Sequence, residues 1–65
     1  MLFKLYIVEN GERLYLRDWF VFEGLDHLVF TERARHAMRF RSRETLSDYI
    51  YQLKAYGYRP RTEEC

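Results

Sequence analysis

Five arginines, Arg33, Arg35, Arg39, Arg41 and Arg43, fall within eleven residues, with no carboxylate between Glu32 and Glu44. Each guanidinium is planar, permanently charged and forked, a shape that grips phosphate or carboxylate oxygens two at a time. The chemistry on offer is ion pairing with an anionic surface rather than bond making. The whole chain has 11 basic and 10 acidic residues and a net charge of +1, so the positive charge is concentrated. Such a balance argues against a protein that holds nucleic acid by bulk charge. A ratio of nine Arg to two Lys also fits a bias in the base composition of the encoding genome.

Other reactive residues do not assemble into a site. Asp26 and His27 are sequence neighbours, which is not acid–base geometry, and no nucleophile or oxyanion signature accompanies them. Ser42 suits a helix cap and Ser47 a helix surface. His27, His36 and the single cysteine, Cys65, match no metal-ligand spacing. The expectation is therefore no catalytic residue, no metal and no cofactor.

The elements that must position these residues lie in one short domain spanning 1–65. A chain of this size buries only about 60% of its unfolded surface, and without a disulfide or metal it needs dense packing or oligomerisation. Twelve aromatic residues supply packing area, and a homodimer is compatible with the same need. Leu2 to Val8 alternates, Asn10-Gly11 marks a two-residue type I′ turn, and Leu14 to Arg17 returns. That register pairs Val8 with Arg13, Ile7 with Leu14, Tyr6 with Tyr15, Leu5 with Leu16 and Lys4 with Arg17. Leu5, Ile7, Leu14 and Leu16 then share a core face; Lys4, Tyr6, Arg13, Tyr15 and Arg17 share the other. Continued alternation sends Phe20 and Phe22 to the core and Trp19 and Val21 to the tyrosine face. A turn around Gly24 precedes a third strand over His27 to Phe30.

Thr31 is a suitable N-cap for a short helix through about Phe40, with Ala34, Ala37 and Met38 on one side and Glu32, Arg35, His36 and Arg39 on the other. Ser42 caps a second helix carrying Leu46, Tyr49, Ile50 and Leu53 at spacings of three and four, ended by Gly57. Tyr58 to Thr62 suits a terminal edge strand. The expected fold is α+β: a three- or four-stranded antiparallel meander packed against two short helices, its core including Phe30, Ala37, Met38, Leu46, Ile50 and Leu53.

Two surfaces emerge as candidates for partner binding. Arg35 and Arg39 stand one helical turn apart with His36 beside them, extended by Arg41 and Arg43 at the helix junction; pairing with Glu32 would instead make this a solvated face. Tyr6 and Tyr15, ringed by Lys4, Arg13 and Arg17 and joined by Trp19, suit a base-stacking platform, a protein interface or a second core face under a helix. No apolar run approaches the roughly 20 residues of a membrane span, and Met1 to Val8 lacks a cleavage signal, so the expectation is a cytoplasmic protein away from membranes.

The order of an N-terminal hairpin, Phe30-Thr31, Ala37, Phe40, Ser42, Leu46, Ile50, Leu53 and Gly57-Tyr58 resembles a plan common among small phage and mobile-element accessory proteins. That resemblance implies a stand-alone protein that binds and redirects or inhibits host machinery, anti-CRISPR and other anti-defence proteins included; it assigns no functional residue. The function expected is a non-enzymatic protein-binding module for a host or cellular protein. The alternative is a small nucleic-acid-binding accessory protein using the arginines and the tyrosine face.

Overall fold

A computed structural model describes all residues, 1–65. Four antiparallel strands form one open sheet: β1 (Phe3–Glu9), β2 (Glu12–Phe22), β3 (Leu25–Thr31) and β4 (Arg61–Glu64), in the spatial order β3-β2-β1-β4. One α-helix, α1 (Arg43–Ala55), packs on one face, and a single 3-10 turn, Ala34–His36, lies between β3 and α1.

Asn10 and Gly11 both take left-handed backbone, with φ of 52° and 79°, as a type I′ turn requires, and β1 pairs with β2 from Glu9↔Glu12 to Tyr6↔Tyr15. The expected pairs Leu5–Leu16 and Lys4–Arg17 do not form, because the ladder ends at the tyrosines. Beyond them the chain between β3 and α1 takes over the backbone groups of both strands: Met38 N–H donates to the Leu16 carbonyl, and Phe3 and Phe40 exchange N–H···O bonds of 2.9 and 2.8 Å. Phe40 thereby enters the core with Leu5, Leu16, Leu46 and Leu53, all at most 7% exposed.

This wedge explains why the expected helix over 31–40 is absent. A helix would put Ala37 and Phe40 on one side, three residues apart. Instead, Ala37 covers Tyr6 and Tyr15 on one sheet face while Phe40 is buried with the helix on the other. Only an extended segment can serve both faces. Like charges at Arg35 and Arg39, one turn apart, would also oppose helix formation.

The second helix forms where expected. Ser42 Oγ accepts from the Thr45 N–H, Glu44 sits in the first turn, and Gly57 and Tyr58 N–H groups bond to the Lys54 and Leu53 carbonyls as a Schellman motif. The last strand begins later than expected, at Arg61, directly after Pro60, whose missing N–H cannot join a ladder.

β2 holds the largest departure from simple alternation. Its ladder with β3 pairs Leu16 with Phe30 and then Asp18 with Val29, leaving Arg17 as an extra, bulged residue. One extra residue exchanges the faces of everything after it. Trp19 therefore joins the core side, half-buried edge-on against Tyr49 (5.4 Å between ring centroids) and Tyr56 (5.9 Å). Phe20 and Phe22, expected in the core, lie exposed on the opposite face.

Candidate functional site

The tyrosine face is an internal layer. Tyr6 and Tyr15 are 8% and 6% exposed, packed together at 5.6 Å and covered by Ala37 with Ala34 beside it. Small alanine side chains let the covering segment approach closely. Around them the polar residues fasten the sheet to itself: Arg13 on β2 stacks over the Tyr6 ring at 4.4 Å and reaches Glu63 on β4 at 2.5 Å, and the Tyr15 hydroxyl donates to the same carboxylate oxygen at 3.0 Å. Lys4 lies over the Tyr15 ring at 6.0 Å. Tyr6 and Tyr15 are thus buried within the fold, whereas Arg13 is exposed at the surface while engaged with the Tyr6 ring and Glu63. Trp19 is on the other face, and Arg17 occupies the bulge, exposed.

The arginines separate from that layer. Arg33, Arg35, Arg39, Arg41 and Arg43 are all exposed, as is His36. Only Arg35 and His36 belong to the 3-10 turn; Arg39 and Arg41 flank the bridging residue Phe40, and Arg43 begins α1 with its guanidinium 5.9 Å from the Phe3 ring centroid. The expected helical face of Arg35, His36 and Arg39 therefore does not exist. Neither does the carboxylate partner: Arg13–Glu63 is the one ion pair in the protein, and Glu32 pairs with none of these residues.

A third surface was missed by alternation because the bulge created it. Beyond Arg17, β2 and β3 continue as a two-stranded arm whose core-side face is held by Trp19 and Leu28 against the helix layer. At its tip, the Tyr56 hydroxyl donates to Asp26, an interaction that raises the Tyr56 pKa. Its other face is bare: Phe20 is 43% exposed, Phe22 59%, Leu25 66% and Val29 37%. Cross-strand pairing places Phe20 opposite His27 and Phe22 opposite Leu25, and the His27 ring stacks on Phe20 at 5.2 Å and 11°. The nearest sequence signal was the mismatch between one long apolar run, Trp19–Phe22, and a small domain able to bury only one side of it.

No helix in the structure is long and apolar enough to cross a membrane, and no group of three or more His, Cys, Asp or Glu could hold a metal ion. No family model, curated protein or solved structure matches the chain.

Proposed function

We propose that the protein is a non-enzymatic protein-binding module that docks a cellular protein along the β2–β3 arm, with inhibition of host machinery as the biological setting. One observation carries this reading: four large apolar residues on two paired strands stay exposed on a single face. Contiguous apolar surface on a small protein is characteristic of interaction sites.

Magnitudes shape the mode of binding. Fully burying one such side chain contributes about 1.5–3 kcal/mol, so the half that remains exposed on four of them yields roughly 3–6 kcal/mol. Association costs about 4–15 kcal/mol, so the apolar face needs a second source of affinity. The adjoining edge provides it. Phe22 and Leu25 close the second two-residue turn as a hydrogen-bonded pair, so alternation turns the peptide groups of Asp26, Leu28 and Phe30 away from β2. β3 is an edge strand without Pro or Lys to block pairing. A partner strand added there would gain main-chain hydrogen bonds while resting its side chains beside Leu25, His27 and Val29, the strand-addition mode of recognition.

Tagged protein is expected to recover one stoichiometric partner from a bacterial lysate. Phe22→Glu with Leu25→Glu should abolish that recovery, whereas Val8→Glu, an exposed apolar position on β1, should not. Recovery that survives the paired substitution in a folded protein would refute the arm as the contact.

A further inference from the structure

A separate feature points to a second ligand, independently of the arm. We propose that the segment from Arg33 to Arg43 binds the phosphodiester backbone of a nucleic acid, without reading its bases.

The segment is cationic and unneutralised. Five exposed arginines have no carboxylate within ion-pair distance, and the flanking Glu32 and Glu44 are not drawn to them. On the far side of β1, Glu63 is already held by Arg13, and the exposed Glu64 forms no ion pair with any of these arginines. Repulsion among five like charges is tolerated here without internal relief, as expected of a surface whose counter-charge is external.

The segment is also held in place. Met38 is tied to Leu16, Phe40 to Phe3 in both directions, and Ala37 to the carbonyl of Ala34. Ala37 and Phe40 are buried. Because Phe40 points inward from a bridged, extended backbone, its neighbours Arg39 and Arg41 point outward together, about 6.6 Å apart along the chain. Arginines on so constrained a backbone lose less freedom on binding than they would on a loose tail.

The character of the surface selects the ligand class. Every strongly exposed residue from Arg39 to Arg43 is Arg or Ser, while Ala37, Met38 and Phe40 face the protein. Protein interfaces centre on apolar and aromatic groups with charge at the rim. A run of guanidinium groups without an apolar centre instead matches a ligand built of repeated anions, and guanidinium forks bind phosphate in bidentate fashion. Phe40 is buried and His36 is the one exposed ring in the segment, so no extended stacking platform accompanies the arginines and the contact rests on phosphates rather than bases.

The test is fluorescence anisotropy with a labelled mixed-sequence oligonucleotide, single-stranded or annealed to its complement, over a series of salt concentrations. Binding is expected at low salt and should weaken linearly in log–log form. Arg39→Gln with Arg41→Gln should flatten the slope by about 1.8 for a duplex or about 1.4 for a single strand, two contacts at ~0.9 or ~0.7 each. If that pair lowers the melting temperature, Arg33→Gln with Arg35→Gln serves as the second variant, with the same flattening expected. Absence of binding at low salt overturns the proposal. So does a slope unchanged by both pairs, or preferential binding to polyglutamate or to anionic phospholipid vesicles at matched charge.

Discussion

The two hairpins are built on the same device and reach opposite ends. Both turn through two left-handed residues, Asn10-Gly11 and Glu23-Gly24. In the first, faces follow simple alternation: Tyr6 and Tyr15 meet on one side, and Leu5 and Leu16 lie at 0% exposure on the other. In the second, the bulge at Arg17 exchanges the faces, so Trp19 packs against the helix and Phe20 and Phe22 face solvent. Alternation is a local rule, carried along a strand only while the ladder is unbroken. The first hairpin packs on both faces around Tyr6, Tyr15, Leu5 and Leu16; the second packs on one face at Trp19 and Leu28, with Val21 exposed nearer the tip, and is open on the other.

The two hairpins should differ most in what a core substitution costs. Leu16→Ala, at the last position before the bulge, is expected to cost about 2–5 kcal/mol, comparable with the whole margin of a small domain. Phe22→Ser should change stability by no more than about 0.5 kcal/mol, as at an ordinary surface position. Urea unfolding of the two variants checks the contrast; equal losses would mean that the second hairpin is buried on both faces.

Deleting Arg17 sharpens the same point. Removal of the bulged residue joins Leu16↔Phe30 directly to Asp18↔Val29, so both faces keep their residues. The expected cost is about 1 kcal/mol, and Trp19 should retain the fluorescence of a packed indole. A solvent-exposed emission spectrum would show that the bulge, with its extra twist, is required to seat Trp19.

The turns differ in chemistry though not in shape. Glu23 sits at φ 53° with an ordinary side chain, where the first turn has Asn10 at 52°. Glu23→Asn is expected to raise stability by up to about 1 kcal/mol, the lower end of the left-handed penalty. Thermal melts decide it; a lower melting temperature would mean that the Glu23 side chain has a compensating role.

The smallest effect is at the arm's contact with the helix end. The Tyr56 pKa is raised first by its hydrogen bond to Asp26, then by desolvation and by the Asp26 charge. The neutral phenol is therefore favoured in the fold. Its contribution is complete below the ordinary tyrosine value of about 10 and is lost as pH rises through the higher folded value. The melting temperature of the wild type should fall more steeply than that of Tyr56→Phe across that alkaline range. Parallel curves would show that this contact does not stabilise the arm.

Much of this arrangement was legible locally. Asn10-Gly11 announced its turn and set the pairing of Tyr6 with Tyr15; Ser42, the Leu46–Leu53 spacing and Gly57 delimited the helix to within a few residues. The candidate surface was not legible, because a bulge has no residue signature of its own. The arginines were visible as a cluster, but their helical grouping was wrong: Phe40 gains more by filling the gap between β1 and β2 than the segment would by closing helical hydrogen bonds. The first turn, the capped helix, the α+β composition and the concentration of positive charge were set by local sequence, since each depends on near neighbours along the chain. Tertiary structure alone decided which aromatics are covered, where β1 and β2 part, and which face of the arm meets solvent. Those outcomes depend on competition among distant segments for one small core.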